Sequence, residues 1–358
     1  MEPLLKVRGL RTTFRAQTRK GSDAAVQAVR SVDFQLGRGE TVGVVGESGS
    51  GKSVTALSLI DLLPDTARVE ADVLTLDGAS IAGLSRKQLR ALRGRRIAMV
   101  FQDPMTSLNP LMRIGRQLDE MIAAHDRTLT RRQRRERVIE LLKEVRIPEP
   151  ERRYRSYPHE FSGGMRQRAM IAMAMALRPE ILVADEPTTA LDVTIQDQIL
   201  RLMRRLQDEN GTSILLITHD LAVVAGLCSR VIVMYGGLIM EEAPTEKLFA
   251  QPMHPYTMGL LASLPALRGG QGDRLESIPG SPPDMTDPGE GCPFAPRCKY
   301  ARVRCEQARP PYYSVGEYSP GAGHRSMCWL LDPEAPGADS PFGEAGGALR
   351  GEVAPLGE

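Results

Sequence analysis

Gly46-Glu47-Ser48-Gly49-Ser50-Gly51-Lys52-Ser53 has the spacing G-x-x-x-x-G-K-[ST], and its reading decides the fold. Glycines let a tight loop take dihedrals that other residues resist, so successive N–H groups turn inward around a phosphate. The lysine then reaches the outer phosphates and the serine hydroxyl ligates Mg2+. Such a loop needs a strand before it and a helix after it, because the helix N-terminus adds free N–H groups and a positive dipole end. Thr41–Val45 is a short apolar run and residues 54–63 are helix-periodic. A chance glycine-rich turn does not account for the lysine, the serine and both flanks together.

A second signal lies far downstream. Ile181-Leu182-Val183-Ala184 is followed by Asp185-Glu186 and then by the turn Pro187-Thr188-Thr189. Adjacent carboxylates at the end of a buried strand are costly without a cation. Asp185 is therefore read as holding Mg2+ through water, and Glu186 as polarising the attacking water of an in-line phosphoryl transfer. A solvated acidic turn fits the apolar run before the pair poorly.

Around these motifs, the runs 41–45, 97–101, 181–184, 214–218 and 231–235 read as buried strands, and 53–63, 165–177 and 196–208 as helices. This alternation predicts an α/β fold with a mostly parallel sheet covered on both faces. The arginine-rich amphipathic stretch 112–145 reads as an inserted helical subdomain, and its basic clusters as solvated helix surface. After about Gly236, proline and glycine dominate, which predicts a compact appendage held by loops. Beyond Leu331 the chain is mainly Pro, Gly, Ala and acidic residues and reads as disordered.

The 358 residues carry a formal net charge of only +2, giving no strong electrostatic pull toward nucleic acid or membrane. No apolar stretch approaches the roughly 20 residues of a membrane span, and the start lacks a signal-peptide pattern, so a cytosolic location is expected. Cys228, beside Val231-Ile232-Val233, reads as a buried small apolar side chain. Cys292, Cys298, Cys305 and Cys328 are separated by five, six and twenty-two residues. In a reducing compartment they read as metal ligands before disulfides, without the C-x-x-C pairs usual in structural zinc sites.

Phe161-Ser162-Gly163-Gly164-Met165, Phe101-Gln102-Asp103-Pro104, Ala190-Leu191-Asp192 and Thr218-His219-Asp220 complete the set. Together, through most of residues 1–265, these motifs resemble the nucleotide-binding subunit of ATP-binding-cassette transporters. The resemblance implies a P-loop NTPase cassette with a RecA-like core, an N-terminal antiparallel β subdomain and an α-helical subdomain at about 104–175. It implies ATP bound by Gly46, Glu47, Ser48, Gly49, Ser50, Gly51, Lys52 and Ser53, with Mg2+ held through Ser53, Gln102 and Asp185.

By the same resemblance, Gln102 is the Q-loop residue, Asp192 the D-loop residue and His219 the switch histidine. Glu186, His219, Gln102 and Lys52 are then the catalytic set. Ser162, Gly163 and Gly164 form the signature segment, whose helix N-terminus faces ATP held on the opposite subunit of a head-to-tail dimer. Phe161 and Met165 stand where the commonest family form has Leu and Gln. Two readings stand for Phe14, stacking on adenine or sheet core, and two for His219, catalysis or a satisfied polar residue.

His254-Pro255-Tyr256-Thr257, Ile278-Pro279-Gly280-Ser281-Pro282-Pro283 and Gly291-Cys292-Pro293-Phe294-Ala295-Pro296-Arg297-Cys298 resemble the C-terminal region of oligopeptide and dipeptide importer ATPases, here 266–330, with 331–358 as a tail. Similar subunits serve nickel and some sugar importers. The resemblance implies a [4Fe-4S] cluster on Cys292, Cys298, Cys305 and Cys328, with zinc or unligated thiols as alternatives. It further implies an energy-coupling ATPase at the cytoplasmic face of the cell membrane. Its partners would be a second ATPase subunit, paralogous or identical, two transmembrane permease subunits and an extracytoplasmic substrate-binding protein, with no nucleic acid. A soluble cassette ATPase acting on nucleic acid or translation is the alternative. Such chains carry two cassettes or long coiled-coil insertions, and neither is visible here.

Overall fold

The computed structural model describes residues 2–17, 23–103, 107–189, 191–264, 277–315, 321–334, 341–342 and 349–352. Pro104, Ala190, the boundary at 265/266 and most of the tail lie outside the described residues. Two compact units divide the chain.

One unit comprises the described residues of Met1–Gly37, Thr41–Ala82 and Thr218–Glu358. In it, Leu5–Gln17 is the middle of an antiparallel sheet, paired on one edge with Asp23–Leu36 and on the other with Ala67–Glu70 and Val73–Leu76. Leu5, Val7, Leu10, Phe34, Leu36 and Leu76 are all buried; the pairs 5/7 and 34/36 follow the period of two, and an irregularity between Val7 and Leu10 shifts it by one residue. Thr41–Val45 pairs in parallel with Arg230–Tyr235, and every residue of both strands is buried.

Arg230–Tyr235 then turns through Gly236 and Gly237, at φ +53° and +75°, into the antiparallel strand Leu238–Pro244. The change of character at Gly236 is therefore a hairpin within a sheet and not the start of a loop-held appendage. Glu241 and Glu242 hid that strand in the sequence by interrupting its apolar run. Both are buried and partnered: Glu242 by Arg230 and by Arg325 Nη2 at 2.6 Å, and Glu241 by His324 Nε2 at 2.7 Å and the Met253 N–H at 2.6 Å. Such pairing offsets the desolvation of buried carboxylates.

Arg325–Ser326 and Tyr313–Val315 extend the sheet. Two described pieces of the tail join this unit. Leu349–Glu352 pairs with Tyr313–Val315, and Phe342, the tail's one large aromatic, is buried with Tyr313, Trp329 and Leu331. Cys228 is buried as expected, against Gly43.

The other unit is Gly83–Ile217 with Arg38–Glu40. Ile97–Val100, Ile181–Asp185 and Ser213–Ile217 form a parallel set, in register Val100 to Ala184 and Asp185 to Ile217. Gly163–Met175 and Val193–Asn210 are the helices that follow the motif segments. The arginine-rich stretch forms Ile114–His125 and Arg131–Glu144, the latter started by a capping box of Thr130 and Gln133. Its apolar stripe, Val138, Leu141 and Leu142, is buried. Most of its arginines are exposed, and Arg134 pairs with Asp119 at 2.9 Å. No helix among the described residues is long and apolar enough to cross a membrane.

Candidate functional site

In the first unit, strand Thr41–Val45 delivers the chain into the glycine loop. Gly46, Gly49 and Gly51 take φ values of +150°, +79° and +101°. A Cβ on Gly46 would lie 2.1 Å from the Met234 carbonyl oxygen, and one on Gly51 2.5 Å from that of Ala28, so no other residue fits at either position. Lys52 opens helix Lys52–Leu59 and folds back over the loop. Its Nζ donates to the carbonyls of Gly46 and Glu47, both at 2.8 Å, and lies 3.3 Å from Ser50 Oγ. Ser53 follows in the same first turn, while Ser48 and Gly49 form the exposed crest. The loop therefore encloses a cation beside a helix N-terminus, an arrangement suited to a phosphate chain.

His219 stands exposed just past Thr218, whose N–H donates to the Val44 carbonyl at 3.1 Å. Asp220 caps helix Leu221–Leu227, accepting the Ala222 N–H at 2.8 Å. The histidine is thereby fixed on the backbone beside the strand that feeds the loop. Phe14 is half-buried in mid-strand, opposite Val26 and Ala67.

In the second unit Asp185 is buried at the end of Ile181–Asp185. Glu186 comes next at φ +46°, the left-handed region that side chains with a Cβ rarely adopt. Three contacts hold it there. Its N–H donates to the Ile217 carbonyl at 2.8 Å, and its Oε2 accepts from Gln102 Nε2 at 2.9 Å and from Thr189 Oγ1 at 2.8 Å. Neither the strained backbone nor Thr189 was recognised in the sequence, although the tight turn Pro187-Thr188-Thr189 was its outward sign.

Ser162 and Gly163 are exposed at the start of helix Gly163–Met175. Ser162 Oγ caps that helix by accepting the Met165 N–H at 3.3 Å. Asp192 is exposed too and caps Val193–Asn210 through the Ile195 N–H at 2.9 Å. A Cβ on Gly163 would sit 3.6 Å from Leu191, and one on Gly164 only 2.7 Å from Ile195 Cγ2. The glycines thus bring the serine turn against the segment that carries Asp192.

None of Cys292, Cys298, Cys305 and Cys328 is joined in a disulfide. Cys305 and Cys328 are buried, and Cys292 packs against the same cluster. Burial pushes the Cys292 thiol up to about 12 and raises those of Cys298 and Cys328, and neighbouring thiols push in the same direction. The four are neighbours, yet no group of three metal-ligating side chains among the described residues is disposed to hold a metal ion. The sequence reading also missed Arg297 and Tyr256, which both reach Glu47 of the loop. Both lie inside the segments 254–257 and 291–298 that resemble the importer ATPases.

Comparison with known proteins bears on both regions. The ABC transporter family matches residues 29–189, and the oligopeptide/dipeptide transporter C-terminal region matches residues 240–305. A probable peptide ABC transporter ATP-binding protein of Sinorhizobium fredii is 51% identical over 327 residues, 91% of this chain and 94% of that one. The oligopeptide transport ATP-binding protein OppD of Bacillus subtilis is 47% identical over 94% of this chain and 92% of its own. For the dipeptide transport ATP-binding protein DppD of Lactococcus lactis the values are 47%, 94% and 93%. Among solved structures, a dimeric ATP-binding cassette in a post-hydrolysis state bound to ADP and Pi superposes with a TM-score of 0.60 at 28% identity, covering 67% of this chain and 98% of that one. With the phosphate-type loop, the braced glutamate and the exposed serine turn all in place, this chain belongs to the ATP-binding proteins of the peptide ABC transporters.

Proposed function

We propose that the chain is the ATP-hydrolysing, energy-coupling subunit of an importer for dipeptides or oligopeptides. The observation that carries this reading is likeness along more than nine-tenths of the chain to ATP-binding proteins of peptide transporters, joined to a loop that encloses Lys52 at a helix N-terminus. The loop binds the triphosphate, with Lys52 on its outer phosphates and Ser53 as Mg2+ ligand. On the acidic strand end, Asp185 and Gln102 are assigned to Mg2+ and Glu186 to the attacking water. Mg2+ supplies charge neutralisation at the phosphates when bound. His219 is assigned to the γ-phosphate and Phe14 to the adenine.

The exposed turn Ser162–Gly164, with Asp192 beside it, fits the role of capping ATP on a second cassette, so that ATP joins two subunits and hydrolysis parts them. The groove beside Leu111, Arg113, Arg116, Glu120, Tyr154 and Tyr157, about 710 Å3 in volume, has exposed Leu111 at its edge. Its mixture of arginine, tyrosine and apolar surface suits a short permease helix. Two permease subunits and an extracytoplasmic binding protein complete the assembly, and the chain then acts at the cytoplasmic face.

For the C-terminal thiols the finer reading is a [4Fe-4S] cluster on Cys292, Cys298, Cys305 and Cys328, with zinc as the alternative. Support comes from the proximity of the four cysteines, three of which share one buried cluster. Purification from a strain that co-expresses the neighbouring membrane subunits tests the functional reading. Permeases that copurify, with hydrolysis stimulated by peptide-loaded binding protein, support it; tight, salt-sensitive nucleic-acid binding without permeases overturns it.

A further inference from the structure

A carboxylate in the second position of a phosphate-binding loop is a liability. It sits beside several negative charges once a triphosphate is bound, and like charges at short range repel. Glu47 is in that position, and the structure neutralises it. Arg297 Nη1 lies 2.7 Å from Glu47 Oε2.

The arginine is itself anchored on every side. Nη1 also donates to Tyr235 Oη at 3.0 Å, Nη2 to the Ile278 carbonyl at 3.1 Å and Nε to the Pro279 carbonyl at 2.8 Å. Its guanidinium lies over the Tyr235 ring, 5.6 Å from the centroid. Only 6% of the Arg297 side chain is exposed, against 26% for Glu47, so the cation is prepositioned and the acid is the member that reaches solvent. From another direction, Tyr256 Oη accepts the Glu47 N–H at 2.8 Å. The rings of Tyr235, Tyr256 and Phe294 pack on one another with centroids 4.6 to 5.4 Å apart, which holds both grips at a fixed distance.

Arg297 ends the one-turn helix Ala295–Arg297, which Cys292 and Cys298 bracket through the bonds Ala295 N–H to Cys292 O and Cys298 N–H to Ala295 O. We infer that the cysteine-bearing C-terminal segment is a working part of the nucleotide site, with Arg297 as a positioning residue that neutralises and orients Glu47, and Tyr256 as a second that fixes its backbone. This rests on the nucleotide reading of the Gly46–Ser53 loop. The fork geometry of arginine matters here, because one guanidinium reaches the acid, the phenol and two carbonyls at once.

Equilibrium ATP binding to the full-length chain tests the inference. Arg297→Met leaves Glu47 bare beside the triphosphate and weakens ATP about tenfold, whereas adding Glu47→Gln to it restores affinity to within about threefold of wild type. A packing role alone gives no such rescue. Tyr256→Phe keeps the ring and removes only the hydroxyl, and it weakens ATP by about threefold or more while the fold is retained. Wild-type affinity in Tyr256→Phe and Arg297→Met, or a double variant as weak as Arg297→Met, overturns the proposal. Lys52→Ala separates the two levels. If wild type binds ATP, Lys52→Ala loses it and Arg297→Met does not, the positioning role fails alone; if wild type binds no ATP, the nucleotide reading and this inference fall together.

Discussion

Gln102 Nε2 donates to Glu186 Oε2 at 2.9 Å, tying the end of one parallel strand to the glutamate that follows its neighbour. With Thr189 on the same oxygen, the carboxylate is aimed by two donors and by a backbone held in the left-handed region. Strain of this kind persists only where the surroundings fix it, and here it points one functional group outward from a buried strand. Glu186→Gln keeps the shape and removes the charge proposed to polarise the attacking water. Phosphate release is expected to fall by roughly a hundredfold or more while ATP binding is retained. Turnover near wild type would remove Glu186 from its assigned role.

Lys52→Ala acts at the other end of the chemistry. It deletes the cation enclosed by the loop, so ATP affinity should drop by about tenfold or more with little change in thermal stability. Calorimetric titration with ATP alongside a melting curve reads both. Undiminished ATP affinity would show that the loop binds without its lysine.

Gly164 is required by packing between helices rather than by its dihedrals. The methyl group of Gly164→Ala would meet Ile195 Cγ2 at 2.7 Å, and relieving that clash should cost about 1–3 kcal/mol. Trimming the obstacle with Ile195→Val leaves Cγ2 in place, whereas Ile195→Ala removes it. Urea unfolding should therefore show the double variant Gly164→Ala/Ile195→Ala losing less than the two single losses added together. Simple additivity would mean that the contact does not limit the approach of these helices.

His254 predicts an acid limit to stability. Burial lowers its pKa from 6.5 to about 3, partly offset by the Met327 backbone, and its Nδ1 already accepts the Tyr256 N–H. A depressed folded-state pKa means that its contribution is complete above about pH 6.5 and is lost as pH falls toward 3. Each unit in that window costs about 1.4 kcal/mol from this group. His254→Asn, which keeps an acceptor for the Tyr256 N–H, should flatten the slope of stability against pH between 6 and 4 by about that amount. An unchanged slope would assign the acid lability elsewhere.

Much of this could be read in advance because the decisive groups are backbone-driven. Gly46, Gly51 and Lys52 are fixed by what a phosphate loop demands, and 41–45, 181–184 and 231–235 show as apolar runs because their strands are buried on both faces. Leu238–Pro244 did not show, since Glu241 and Glu242 are compensated by Arg230, His324 and Arg325. Arg230 is near in sequence, but His324 and Arg325 lie more than eighty residues further on. The link of Glu47 to Arg297 was hidden for the same reason, spanning 250 residues. Pairwise compensation between distant residues leaves no periodicity in either segment.

Anaerobically purified protein assayed for iron and sulfide should show both in proportion to four thiols, with a visible absorbance band that is lost in Cys298→Ser. Zinc without sulfide would select the alternative ligand set. Neither metal would leave the thiols unligated.

The most direct test of the account is peptide uptake by proteoliposomes that hold the permeases, the binding protein and either wild-type chain or Glu186→Gln. ATP-dependent uptake with wild type, abolished by Glu186→Gln and by omission of this chain, is the predicted result. Uptake of equal rate without the chain, or with its glutamate replaced, would contradict it.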